Sequence, residues 1–117
     1  MLRKYEYRRR LPHYQSDHKA LFVTYCRWIL PESARAIVLE TCLYGDEKSF
    51  HLYGLVVMPD HVHLVFSPLG DESGPFSIAG IMQAIKGASA HRINKLLRAS
   101  GPVWEEESFD QLSHQDQ

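Results

Sequence analysis

Cysteine is scarce in this chain. Cys26 and Cys42 are the only two, too few for the disulfide framework of a small secreted domain. No apolar run approaches the roughly 20 residues that a membrane helix needs, so no membrane partner is expected. The basic start Met1-Leu2-Arg3-Lys4-Tyr5 is not followed by an apolar stretch. A secretory leader is therefore not expected, and the expected location is the cytoplasm. Repeats and low-complexity segments are absent, and net charge is almost absent, at −1 over 117 residues. What is left is 44% hydrophobic and 23% charged residues. That composition suits one folded domain over residues 1–117, with room for a core.

The near-zero net charge conceals a pattern. Residues 1–40 carry eight Lys/Arg and four Asp/Glu, residues 76–100 carry four Lys/Arg and no acid, and residues 101–117 carry five acids and no base. A local basic patch can bind phosphates whatever the whole-chain sum, because salt screens distant charges. The same charges also suit an ordinary solvated surface.

Periodicity gives the element order. Residues 1–18 read as a basic arm or an irregular first strand. Leu21 to Cys26 is β-branched and aromatic, hence a strand. Pro31-Glu32 opens a helix that runs to about Tyr44, and Gly45 to Lys48 is a turn. Residues 49–67 form a hairpin broken at Pro59-Asp60, and residues 68–76 form a loop. Ser77 caps a helix from about Ile78 to Ala99, with apolar residues at i, i+3 and i+4. Gly101-Pro102 ends it, and a last strand starts at Val103-Trp104. The order β-α-β-β-α-β is that of a ferredoxin-like α+β domain: an antiparallel sheet with two helices on one face.

The chemistry concentrates in Met58-Pro59-Asp60-His61-Val62-His63-Leu64-Val65-Phe66. Side chains alternate along a strand, so His61 and His63 share the open face while Val62, Leu64 and Phe66 enter the core. Neutral imidazoles at this spacing can grip one metal ion, although H-x-H also occurs on ordinary surface strands. Asp60 is expected to point away from both histidines. His13, His18, His51, His91 and His114 have no ligand spacing and read as surface residues. Cys26 and Cys42 read as small core residues. Trp104 reads either as a base-stacking ring or as an apolar anchor in the core.

The run Val56 to Val65 resembles the signature of HUH single-strand DNA transposases, and more narrowly of REP-associated tyrosine transposases. Arg8-Arg9-Arg10-Leu11-Pro12-His13, Phe22-Val23-Thr24, Ile85-Lys86, His91 to Lys95 and Gly101 to Asp110 resemble further segments of that family in the same order. The resemblance implies a divalent cation, Mg²⁺ or Mn²⁺, on His61 and His63. It also implies a tyrosine nucleophile that attacks a phosphate of single-stranded or hairpin DNA. Arg8, Arg9, Arg10, Lys86, Arg92 and Lys95 are the implied DNA contacts, and a homodimer is left open. The family's tyrosine lies on a helix after the Trp-containing segment. None of Tyr5, Tyr7, Tyr14, Tyr25, Tyr44 and Tyr53 matches that position, and Tyr25 and Tyr53 are expected to pack in or beside the sheet. The expectation is a domain incomplete at its C-terminus relative to the family. Two alternatives stay open: a non-catalytic remnant that recognises DNA hairpins, and a ferredoxin-like module binding RNA or a metal.

Overall fold

The structure is a computed structural model. It describes the backbone of residues 6–8 and 19–113 and the side chains of residues 21–105. The strands are β1 (Glu6–Arg8), β2 (Lys19–Cys26), β3 (Phe50–Val57), β4 (His61–Pro68), β5 (Gly70–Asp71), β6 (Gly74–Pro75) and β7 (Trp104–Ser113), and the helices are α1 (Glu32–Gly45) and α2 (Ile78–Leu97). The main sheet runs β1-β3-β4-β2-β7, and every pairing in it is antiparallel. Without β1, the order is that of the split βαβ unit, so the α+β ferredoxin-like reading holds.

Of the two readings of the arm, the strand applies at residues 6–8, while residues 9–18 lie outside the described part. Two details differ from the sequence reading. The loop at 68–76 contains a small two-stranded ribbon, β5-β6. Helix α2 stops at Leu97 rather than Ala99, because Arg98 turns into the left-handed region at φ 53° and its N–H bonds Asn94 O. Its start is as expected, with Ser77 Oγ accepting from Gly80 N at 2.9 Å.

Both helices cover one face. Ala34, Val38 and Cys42 from α1 and Ile81, Ile85 and Ile93 from α2 share a core with Leu55, Val62, Leu64 and Phe66 from the sheet. Phe66 is fully buried. Its ring stacks on Phe22 at 5.4 Å and tilts against Phe50 at 5.2 Å. Both cysteines are free and buried, and burial pushes each thiol up to about 12.

The stripe of α2 has one polar member. Ser89 is fully buried. Its Oγ donates to Ile85 O at 2.7 Å and accepts from Trp104 Nε1 at 3.0 Å. Trp104 itself is 6% exposed, which settles its role as a core anchor rather than a stacking ring. Ser89→Ala leaves the indole N–H buried without its acceptor. The expected cost is about 1–3 kcal/mol of stability, measured by urea denaturation; an unchanged midpoint would refute the bond's importance.

Candidate metal and nucleic-acid site

Strand β4 lies between β3 and β2, so its residues are braced on both sides. Val62, Leu64 and Phe66 face the helices and are buried, while His61 and His63 are half-buried on the open face. In register, His61 stands opposite Tyr25, and His63 stands between Val23 and Val56. The two imidazoles are 4.8 Å apart between ring centroids, at 70° to each other. The expected juxtaposition is present. Burial, and then the neighbouring His61, hold the His63 imidazole below its usual 6.5, which favours the neutral form that can donate a lone pair.

That depressed value carries a sign. In the window below 6.5 the unfolded chain binds the His63 proton more readily than the folded one, so this group's protonation lowers stability as pH falls. An NMR titration of the His63 ring should give a midpoint below 6.5; a midpoint above it would contradict the cause given.

Asp60 departs from expectation. Its Oδ1 lies 2.7 Å from His61 Nδ1. Alternation does not govern Asp60, because it sits in the turn before the strand. That turn is fastened by three backbone bonds: Cys26 N to Asp60 O at 2.9 Å, Leu30 N to Pro59 O at 2.7 Å and Met58 N to His61 O at 2.8 Å. With a carboxylate as its partner, Nδ1 of His61 is the natural donor of this bond, and a neutral ring then has Nε2 as its lone-pair donor. Tyr25 packs on the sheet, as expected. Its ring stacks on His61 at 5.3 Å and 27°, and 48% of the residue is exposed.

A second group was not visible in the sequence. Asp46, Glu47 and His51 bring three ligand atoms within 4.8 Å of one another, the only such trio among the described residues. His51 is buried, not on the surface, and its Nδ1 pairs with Glu47 Oε2 at 2.6 Å. Asp46 Oδ1 also accepts from Leu52 N at 2.9 Å. His51 pairs with Ser67 at the far end of the hairpin, roughly 15 Å along the strands from the His61–His63 pair. The two places could each hold a divalent cation. No spacing rule signals the trio, because a turn and a buried strand end create it.

Among the described side chains, the predicted DNA contacts are not gathered around the histidines. Arg8 pairs with Gly54 on the outer side of β3, and Arg9 and Arg10 lie outside the described residues. Lys86, Arg92 and Lys95 are on α2, which covers the sheet face opposite the histidines. Lys86 Nζ donates to Glu105 O at 3.3 Å, and partial burial lowers its pKa. Arg92 bridges to Glu40 of α1 at 2.8 Å. Lys95 is exposed.

No helix among the described residues is long and apolar enough to cross a membrane. No curated protein matches the chain, but solved structures do. One is the REP-associated tyrosine transposase bound to a REP hairpin, with TM-score 0.65 and 15% identity over 92% of this chain. The chain spans 62% of that protein's length. Another is a protein from Deinococcus radiodurans R1 classed as a transposase, with TM-score 0.59 and 19% identity over 88% of this chain and 84% of that one. At such identities the likeness is one of fold. The sequence profile of the IS200-like transposases is more specific, and it matches residues 23–111. With that match covering most of the chain, the protein belongs to the IS200-like transposase family.

Proposed function

We propose that this chain binds single-stranded or hairpin DNA and seats one phosphate at a divalent cation, Mg²⁺ or Mn²⁺, held by His61 and His63. In the whole protein this site would serve cleavage and rejoining of the strand through a tyrosine–phosphate bond, the HUH-type reaction. The observation carrying the reading is the pair of adjacent imidazoles on an interior strand, one within hydrogen-bond distance of Asp60. The hairpin bound by the structural neighbour supports the choice of partner.

The donor set fits such an ion. Two nitrogen ligands leave several positions for water and phosphate oxygens, and imidazole suits Mn²⁺ better than the harder Mg²⁺. A cation held by His61 and His63 would polarise the non-bridging oxygens of a phosphodiester and so lessen the charge repelling a phenolate. The chain's own residues do the rest. Asp60 would orient the His61 ring through Nδ1, and the burial that lowers the His63 pKa favours its neutral form. Arg8, Arg9 and Arg10 are suited to grip the DNA backbone through guanidinium forks. Lys86, Arg92 and Lys95 would meet a different stretch of it, because they stand across the sheet.

Asp60 provides a sharp check. Asp60→Ala is expected to weaken Mn²⁺ binding by about 10–100-fold, the usual value of a carboxylate behind a ligating histidine. Asp60→Asn keeps an acceptor and should lose less. Long-range ¹H–¹⁵N spectra of His61 should show the Nδ1–H tautomer in the parent and a mixture in Asp60→Ala. An unshifted tautomer would remove Asp60 from the site.

The function itself is tested by fluorescence anisotropy. A labelled hairpin with a single-stranded flank should bind more tightly than a blunt duplex of equal length, and Mn²⁺ should increase that preference. Equal binding of both, with and without Mn²⁺, would reject the proposal.

A further inference from the structure

Exposed apolar side chains collect at the histidine end of the sheet. Tyr25 is 48% exposed, Trp28 36%, Ile29 65% and Met58 39%. Trp28 and Ile29 lie in the segment joining β2 to α1, and Met58 lies in the turn joining β3 to β4. The bonds Cys26 N to Asp60 O and Leu30 N to Pro59 O knit these two segments together. A further bond from Arg27 N to Val103 O, 2.8 Å, anchors the first of them to the start of β7. Exposed apolar side chains grouped on two mutually bonded segments mark an interaction site more readily than the same residues scattered singly.

We propose that Tyr25, Arg27 and Trp28 form a stacking rim for the unpaired nucleotides of the DNA strand next to the histidine pair. The proposal rests on the reading of DNA as the partner and names where the bases go. Three observations select this occupant. The Tyr25 ring already stacks on His61 with one side and is half open to solvent. A nucleobase beside a phosphate at the histidines would therefore meet an aromatic face. Arg27 is exposed and sits between the two aromatic residues in sequence, an order that suits alternating bases and phosphates. Asp60 is exposed in the adjoining turn and offsets part of the Arg27 charge, so stacking supplies most of the affinity and Arg27 a single phosphate contact.

The test uses the 117-residue chain and an unstructured oligothymidylate, in EDTA and in Mn²⁺. The protein has two tryptophans, Trp28 and Trp104. Trp104 is buried and bonded to Ser89, so changes in indole emission on binding report Trp28. The oligonucleotide should quench that emission in EDTA as well as in Mn²⁺. Tyr25→Ala or Trp28→Ala should weaken binding by about tenfold to a hundredfold, while Tyr25→Phe should bind like the parent. Arg27→Ala should reduce the log–log salt slope by about 0.7. His61→Ala with His63→Ala should abolish the effect of Mn²⁺ and retain the quenching. Two variants at separate positions guard against one of them misfolding, which thermal melting detects.

Oligonucleotide binding with no quenching, and with parental affinity in both alanine variants, would overturn the rim and leave DNA binding standing. No binding of any oligonucleotide would overturn both. Sedimentation showing a dimer that Trp28→Ala dissociates, with no quenching, would assign the surface to a second copy and overturn the rim.

Discussion

Replacing His61 and His63 together with alanine should reduce Mn²⁺ affinity by more than about a hundredfold, since even groups that only orient a ligand are worth 10–100-fold. The fold should survive. Both side chains stand on the open face of the sheet, partly exposed, while their neighbours Val62 and Leu64 keep the core side filled. The stability change should stay within about 1 kcal/mol. Isothermal titration with Mn²⁺ and a thermal melt of the same sample check both halves. The rival location is the trio of Asp46, Glu47 and His51. Glu47→Gln replaces an exposed carboxylate there. Mn²⁺ binding that survives the double replacement and disappears in Glu47→Gln would move the ion to the other end of the hairpin.

Phe66→Ala should have the opposite profile. This ring is fully buried against Phe22 and Phe50, and removing it leaves a cavity as well as losing transfer energy. The expected cost is about 3–5 kcal/mol, a large share of the 5–15 kcal/mol typical of a whole domain. Circular dichroism should show the melting temperature falling by about 10–20 °C. A loss under about 1 kcal/mol would mean that the core closes around the gap and that the ring stack matters little. The two replacements probe opposite faces of one strand, so their effects should separate cleanly into ligand binding and stability.

The parts of the molecule that were legible in the sequence are those written in a simple period. The alternation His61-Val62-His63-Leu64 fixed which side chains meet solvent, and the spacing of Ile81, Ile85 and Ile93 fixed the inner face of α2. Local chemistry fixed the start of α2 at Ser77. Its end was harder, because Arg98 takes the left-handed turn expected of Gly101. Period fails at polar exceptions. Ser89 fills a core position because Trp104 needs an acceptor there, and Leu96, apolar and in phase, is 48% exposed. It fails again where tertiary contacts decide. Asp60 reaches His61 only because the turn is tied to Cys26 and Leu30, and His51 is buried by the closing of the hairpin's far end. Tyr25 becomes a neighbour of His61 through strand register, which no single segment reveals.

The histidines ride on a strand that is hydrogen-bonded along both edges. His63 pairs across to Val23 on one side and to Val56 on the other, and the Met58 amide donates to His61 O. Local opening cannot release such a strand without parting the sheet through its middle, so its amides exchange with solvent only when the domain as a whole unfolds. The ligand geometry therefore has no loosened intermediate of its own, and the site persists for as long as the fold does.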